Sequence, residues 1–156
     1  MLKHISVQNY ALIDKLEVEF TDGLTIITGE TGAGKSILLG ALGLIAGSRA
    51  DTQALQDKTK KCVVEASFNI KGYSLKEFFS ANELDYDVTT SIRREINPEG
   101  KSRAFINDTP VTLSQLKELA EYLIDIHSQH QTLTLNWSAF QLSVVDAFAD
   151  HSSTLE

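Results

Sequence analysis

The sequence has few of the residues that build a disulfide or metal framework. Cys62 is the single cysteine among 156 residues, so the sequence has neither a disulfide framework nor a cysteine-ligated metal cluster. It contains no apolar run near the roughly 18 residues that a transmembrane helix needs. The first residues also lack the apolar core of a signal peptide. These absences favour a cytoplasmic protein in a reducing compartment, without a membrane partner.

An excess of positive charge is missing as well. The chain has 14 Lys and Arg residues against 21 Asp and Glu residues, which gives a formal net charge of −7. This balance argues against a strongly basic nucleic-acid surface on this chain, although a larger protein containing it could still contact DNA. The hydrophobic fraction of 42% is that of an ordinary globular domain with a core.

Hydrophobic periodicity predicts an α/β fold with a mixed sheet and a layer of antiparallel strands. Strands are predicted around residues 5–7, 16–20, 24–28, 62–70, 88–96 and 102–106, with a short one at 123–126. Helices are predicted over residues 36–46 and 75–82, from Thr112 onward, and over 138–149 with Val145 and Phe148 among its apolar anchors. The first of these helices is apolar nearly all round, so we expect it to be buried.

Three local signals fix the ends of these elements. Gly47 is expected to cap the C-terminus of the first helix, because glycine adopts the left-handed conformation without strain. Asn97-Pro98-Glu99-Gly100 forms the turn of a hairpin between two predicted strands. Thr112 and Gln115 have the spacing of a capping box at a helix N-terminus.

The most specific motif is a glycine-rich loop between a predicted strand and a predicted helix. It matches G-x-x-x-x-G-K-[ST] and consists of Gly29, Glu30, Thr31, Gly32, Ala33, Gly34, Lys35 and Ser36. Glycines allow successive backbone N–H groups to face a phosphate, and the helix N-terminus adds partial positive charge. Lys35 is expected to reach the β- and γ-phosphates and Ser36 to bind Mg²⁺. The predicted ligands are therefore ATP and Mg²⁺.

The acidic residue that should complete such a site is not evident. Its signature is four apolar residues followed by Asp or Glu at the end of a buried strand. Leu123-Ile124-Asp125-Ile126 comes nearest, but its apolar run is short, and Asp146 lies in a helical pattern. We therefore expect the second half of the site to lie outside these residues.

Four longer stretches resemble the RecN family of bacterial DNA-repair ATPases, which is related to SMC proteins. They are LKHISVQNYALIDKLEVEF at 2–20, TGETGAGKSILLGALGLIAGSRAD at 28–51, IRREINPEGKSRAFINDTPVTLSQLKELAEYLIDIHSQHQ at 92–131 and LSVVDAFA at 142–149. The phosphate loop is shared by many families, whereas the block at 92–131 is far more specific.

The resemblance implies the N-terminal lobe of an ABC-type ATPase head over residues 1–150. Residues 151–156 would begin the connection to a coiled coil and a C-terminal lobe. That lobe, a second head in a homodimer and DNA are the implied partners, and repair of double-strand breaks near the nucleoid is the implied role. The chain alone is expected to bind ATP and to hydrolyse it poorly.

The same resemblance implies roles for residues outside the loop. Gln129 corresponds to the Q-loop glutamine, which contacts Mg²⁺ and the attacking water and would act with Lys35 in catalysis; Gln131 is a weaker candidate. Arg49 lies where SMC-like heads place an arginine near the γ-phosphate. Asn9 and Tyr10 lie where related heads contact adenine.

Several alternatives stay open at this level. Arg93, Arg94, Lys101 and Arg103 could contact DNA phosphates, but such a group is more often a solvated strand face. Arg93, Arg94 and Arg103 could also form the lid of a compact P-loop kinase. His127 and His130 are too few for a convincing metal site. A third possibility is a non-catalytic module that binds a partner through an apolar surface.

Overall fold

The computed structural model describes residues 1–28 and 32–126, together with residues 142, 145 and 148. The chain divides into two compact units, Met1–Asp125 and Ile126–Glu156. In the second unit Leu142, Val145 and Phe148 are helical, as predicted for residues 138–149, but their side chains are exposed. The prediction that Val145 and Phe148 are apolar anchors is therefore not supported.

Among the described residues, no helix is long and apolar enough to cross a membrane.

The first unit is built on a six-stranded sheet with the order β2-β1-β3-β4-β5-β6. The strands are β1 (Leu2–Tyr10), β2 (Ile13–Glu19), β3 (Cys62–Asn69), β4 (Thr89–Ile96), β5 (Ser102–Ile106) and β6 (Thr109–Val111). The helices are α1 (Gly32–Ile45), α2 (Lys76–Ala81) and α3 (Leu113–Leu123), with a 3₁₀ turn at Thr52–Ala54. The α/β class and the antiparallel layer are confirmed, and every strand pairing within the described residues is antiparallel.

Strand alternation places the core on one face of this sheet. Buried side chains alternate with less buried ones along these strands. The apolar members that are essentially inaccessible to solvent are Ile5, Val7, Cys62, Val64, Ala66, Phe68, Ile92, Ile96 and Ile106. Helix α1 contacts β1, β3 and β4, while α3 contacts β5. Burial raises the pKa of the Cys62 thiol to about 11, so this cysteine is a protonated core residue at neutral pH.

The predicted strand at residues 24–28 is wrong for the described structure. This segment has no strand partner among the described residues, and the side chains of Leu24 and Ile26 are 88% and 75% exposed. A run rich in β-branched residues becomes a strand only where a neighbouring strand supplies hydrogen bonds, and no strand in the described part of the chain does so here. The short strand predicted at 123–126 is absent too, because α3 continues to Leu123 and the chain then leaves it without pairing.

Helix α1 is longer and less buried than the sequence suggested. It begins at Gly32 rather than Ser36, so part of the phosphate-loop motif is already helical. One side carries buried Leu38, Ala41 and Ile45, whereas Leu39 on the other side is 46% exposed. The expectation of burial all round therefore fails, because only one side of the helix faces the sheet.

The capping signals are confirmed. Gly47 has φ +84°, and the Ser48 N–H donates to the Gly43 carbonyl at 2.8 Å, which closes α1 with a left-handed glycine. Gly100 has φ +83° in the turn of the β4–β5 hairpin. At α3, the Gln115 N–H donates to Thr112 Oγ1 at 3.3 Å and the Thr112 N–H donates to Gln115 Oε1 at 2.9 Å. This is the predicted capping box.

Strand β6 was not predicted. It follows a two-residue turn in which Asn107 and Asp108 both have positive φ, the conformation of a tight hairpin. It also contains Pro110, which is tolerated because β6 is the edge of the sheet.

We predict that Gly47→Ala lowers the free energy of unfolding by about 1–2 kcal/mol, because an L-residue is strained at this φ. The added Cβ would also lie 2.4 Å from Lys117 Cγ, so that side chain must move. Denaturant unfolding of the 156-residue chain measures the change. Gly34→Ala is the matched control, since it adds a Cβ with no atom within 4 Å inside a helix and should not destabilise. Equal effects of the two substitutions would contradict the capping role.

Candidate nucleotide-binding site

The described part of the phosphate loop forms the first turn of α1. Gly34, Lys35 and Ser36 are all exposed there. The first N–H groups of a helix have no partner within the helix, and they carry its positive partial charge. Gly29, Glu30 and Thr31 lie outside the described residues, and so do the side-chain surroundings of Ala33. What is described is thus an exposed helix N-terminus that carries a lysine and a serine.

Lys35 borders a cavity between α1 and the segment at 24–28. The cavity encloses about 250 Å³ and is lined by Thr25, Ile27, Lys35, Leu38, Leu39 and Leu42. This is below the roughly 300–1,000 Å³ of most small-molecule sites. The described residues therefore surround only part of a nucleotide-sized ligand.

The two segments that border this cavity carry exposed apolar side chains. Leu24, Ile26, Ile27 and Leu39, which we call the apolar strip, are each more than 40% exposed. Scattered apolar residues are common on protein surfaces, but contiguous ones usually mark a contact surface. Two members of the strip, Ile27 and Leu39, line the same cavity as Lys35, so whatever covers these two side chains would also border that lysine.

Asn9 has a structural position in the fold. Its side chain is 6% exposed, and its Nδ2 donates to the carbonyls of Asp57 and Lys60 at 2.9 Å and of Lys61 at 3.3 Å. Its Oδ1 accepts from the Asp57 N–H at 2.6 Å. These bonds use both ends of the amide, so the side chain holds the loop that leads into β3. A contact to adenine through this amide stays a prediction and would have to displace them.

Tyr10 packs under α1. A Cβ at Gly40 would lie 2.5 Å from the Tyr10 hydroxyl oxygen, so the phenol occupies the space that a side chain would fill. Burial raises the pKa of the Tyr10 phenol, which keeps it neutral. Tyr10 on β1 therefore packs directly against helix α1.

The structure places Arg49 and Lys35 in different cavities. Arg49 is exposed, follows the C-terminal end of α1 and lines cavities that share no residue with the Lys35 cavity. The helix itself rises roughly 15 Å between Lys35 and Ile45. Within the described residues, the two cations are not brought to one site.

The remaining predicted residues divide into two groups. Gln129, Gln131, His127 and His130 lie outside the described residues, so their roles stay predictions. Asp125 is described and exposed, and it follows α3 rather than a strand, which agrees with its weak match to the acidic signature. In the described part of the chain, no group of three or more His, Cys, Asp or Glu side chains is placed to hold a metal ion.

The hairpin arginines do not form one surface. Arg93 Nη1 lies 2.7 Å from Asp108 Oδ1, and its Nε lies 3.6 Å from Glu95 Oε1. Its guanidinium also lies 4.6 Å from the centre of the Phe105 ring. Arg93 is thus neutralised on the outer face of the sheet, and no mobile lid is formed from β4.

Arg94 points to the other face and is only 3% exposed. Arg94 is therefore not part of a solvated strand face. It is also not on an exposed surface of the kind predicted to contact DNA. The signal was present in the sequence, because Arg94 is in phase with Ile92 and Ile96, which are both core residues. Its charge obscured that alternation.

Comparison with known proteins identifies relatives for almost the whole chain. Residues 4–151 match the AAA domain family. The DNA repair protein RecN of Vibrio cholerae is 42% identical over 157 residues, which cover 100% of this chain and 28% of that protein. RecN of Xylella fastidiosa is 40% identical over 154 residues, or 98% of this chain and 28% of that protein. The chain therefore spans about 28% of the length of these curated relatives.

A solved structure supports the same fold. It comes from work on the ATP-driven dimerization and DNA-stimulated activation of SMC ATPases, and it superposes with a TM-score of 0.62. The alignment covers 92% of this chain and 95% of that chain at 18% identity, so it establishes the fold alone. That fold agrees with the antiparallel sheet and with helix α1 described above.

We predict that Asn9→Ala lowers the free energy of unfolding by about 1–3 kcal/mol, because it leaves part-buried carbonyls and a part-buried N–H without these partners. Denaturant unfolding gives this value. Asn69→Ala is the control, since Asn69 Oδ1 only accepts from the exposed Lys71 N–H at 2.9 Å. That substitution should cost less than about 1 kcal/mol. A stable Asn9→Ala chain with weakened nucleotide binding would instead favour the adenine contact.

Proposed function

Because the chain belongs to the AAA domain family and is related to the DNA repair proteins RecN, we propose that it is the Mg-ATP-binding N-terminal lobe of an ATPase head. The observation that carries this proposal is the exposed first turn of α1, where Gly34, Lys35 and Ser36 follow the glycine-rich loop. A helix N-terminus of this composition suits the phosphates of a nucleotide.

The residues present fit the ligand. A Cβ at Gly34 would have no atom within 4 Å, so the first turn of α1 opens onto free space. Lys35 would neutralise the β- and γ-phosphates, and the Ser36 hydroxyl would be a ligand of Mg²⁺. The metal ion supplies charge neutralisation on the phosphates when it is bound. Glu30, Thr31 and Ala33 would contribute their backbone N–H groups, and Gln129 would orient the attacking water and contact Mg²⁺.

We propose that the site is completed by a C-terminal lobe of the same protein. The apolar strip beside Lys35 is consistent with a contact surface for it, because covering Leu24 and Ile26 removes exposed apolar side chains from water. It would also give the segment at 24–28 a strand neighbour. On this proposal residues 1–150 form the N-terminal lobe, and residues 151–156 lead toward a coiled coil.

The wider role follows from the relatives and is likewise a proposal. Two such heads would enclose ATP between them, and hydrolysis would separate them, which would couple the ATPase to work on broken bacterial DNA. The SMC ATPase with the similar fold is described by its ATP-driven dimerization. A compact kinase is a poorer alternative, because Arg93 lies in ion pairs on a sheet rather than in a lid.

Titration calorimetry of Mg-ATP binding tests the first step. The unaltered chain should bind, and Lys35→Ala should weaken binding by roughly ten-fold or more, because it removes a charged hydrogen bond to phosphate. Lys71→Ala is the matched control, since this exposed lysine lies in the turn after β3 and should leave affinity unchanged. An equal loss in both variants, or no binding by the unaltered chain, would contradict the site.

Turnover tests the second step. The chain alone should hydrolyse ATP slowly, and adding the remainder of the same protein should raise the rate, because it would supply the missing acidic residue. Brisk hydrolysis by the chain alone that is lost in Lys35→Ala would indicate a complete small enzyme instead.

A further inference from the structure

A second positively charged site lies at the opposite end of α1 from the phosphate loop. Arg94 is on the core face of β4, directly across from Ala104 on β5. It is 3% exposed, and its Nε is buried without a hydrogen-bond partner. Within the described residues its guanidinium makes no ion pair either. Arginine stays protonated in proteins, so among the described residues this is a largely buried cation without a counterion.

Such an arrangement is costly for a fold that has nothing to bind there. A buried charge normally has a partner, because removing it from water without one is strongly unfavourable. Burial accordingly lowers the pKa of the Arg94 guanidinium from its ordinary value. A hydrophobic residue at this position would complete the row of Ile92 and Ile96 at no such cost. The charge therefore points to a ligand.

The guanidinium borders an open cleft of about 650 Å³. The cleft lies where the end of α1, the β4–β5 hairpin and the start of α3 meet. Its lining includes Arg49, Arg94, Arg103, Ser102 and Leu113, and the described residues that line it include no carboxylate. In a chain with a net charge of −7, this is a local concentration of positive charge.

Two nearby carboxylates, those of Asp51 and Glu95, make contacts outside this cleft. Asp51 borders an adjoining cavity, but its Oδ1 accepts from the Gln53 N–H at 2.8 Å and caps the 3₁₀ turn. Glu95 lies on the outer face of the sheet, 3.2 Å from Lys61 Nζ. Arg103 alternates with Ala104, so it stands at the rim rather than on the core face.

We propose that this arginine cleft, defined by Arg49, Arg94 and Ser102, binds a phosphate group separately from the phosphate loop. Two guanidiniums match the nearly two negative charges of a phosphate monoester better than the single charge of a carboxylate. Arginine also binds phosphate through two parallel N–H bonds, and Ser102 adds a hydroxyl donor. The monoester could belong to a nucleotide or to the end of a nucleic-acid strand.

The test first weakens phosphate binding at the phosphate loop, so that binding at the arginine cleft can be measured by itself. All variants carry Lys35→Ala, and thermal unfolding is followed with inorganic phosphate against chloride at equal ionic strength. Phosphate should raise the melting temperature of the Lys35→Ala chain. Adding Arg94→Met or Arg49→Gln should abolish that shift or weaken phosphate binding by roughly ten- to a hundred-fold. Lys58→Gln, at an exposed lysine, is the charge-matched control and should leave it intact.

Arg94→Met has a second readout. In phosphate-free buffer it should melt at a higher temperature than its parent, because an unpaired buried charge is replaced by an apolar side chain of similar length. If Arg94→Met does not fold, Arg49→Gln decides the phosphate shift by itself. A parent chain that responds equally to phosphate and chloride would overturn the proposal. So would an Arg94→Met chain that keeps the full phosphate shift.

The source of the phosphate is distinguished by two probes in the same background. AMP is compared with adenosine, and a short single-stranded oligonucleotide with a 5′-phosphate is compared with the same strand ending in a 5′-hydroxyl. A preference for AMP that depends on Arg94 assigns the cleft to a nucleotide. A preference for the phosphorylated strand assigns it to a nucleic-acid end. Failure of both pairs to discriminate, despite binding, would contradict recognition of a monoester.

Discussion

The packing of α1 against the sheet is the constraint on which the rest of the structure depends. Gly40 lets the helix approach so closely that the Tyr10 hydroxyl fills the place of a side chain. The buried side of α1 contacts β1, β3 and β4, so the helix axis is fixed by three strands. Gly47 then ends the helix. With its axis and its end fixed, the first turn of α1 is held in the open, where a phosphate can approach it.

The same packing leaves one side of α1 exposed. One side of α1 is buried against the sheet, whereas Leu39 faces the exposed segment at 24–28. In a complete core, a run such as Leu24-Thr25-Ile26-Ile27-Thr28 would be a buried central strand. Here its side chains and its backbone lack partners among the described residues. The proposed C-terminal lobe would satisfy both needs at once, which would couple completion of the fold to completion of the ATP site.

Local chemistry made much of the fold predictable. The capping box of Thr112 and Gln115, the left-handed Gly47 and the turn ending at Gly100 each depend on neighbours within a few residues. The alternation in β3 and β4 gave strands whose ends are correct within one or two residues. The strand prediction for residues 24–28 failed because a strand needs a neighbouring strand, which local sequence does not reveal. Strand β6 has only three residues and includes Pro110, so its sequence alone does not predict a strand.

The candidate site was less accessible to sequence reasoning. The glycine-rich loop identified the helix N-terminus, since its pattern is local and specific. The environment of Asn9 and the direction of Arg94 depend on contacts with residues distant in sequence. Asn9 binds the backbone of residues 57–61, and Arg94 faces a cleft formed by three elements. A run of charges conceals which side chain points inward, whereas alternation with Ile92 and Ile96 reveals it.

Amide hydrogen exchange of the 156-residue chain, with and without Mg-ATP, tests the central claim of a half-built nucleotide site most directly. We predict that Mg-ATP slows exchange in residues 32–36, while residues 24–28 exchange rapidly until the remainder of the protein is added. The claim is contradicted if Mg-ATP leaves residues 32–36 unchanged, or if residues 24–28 are already protected in the chain alone.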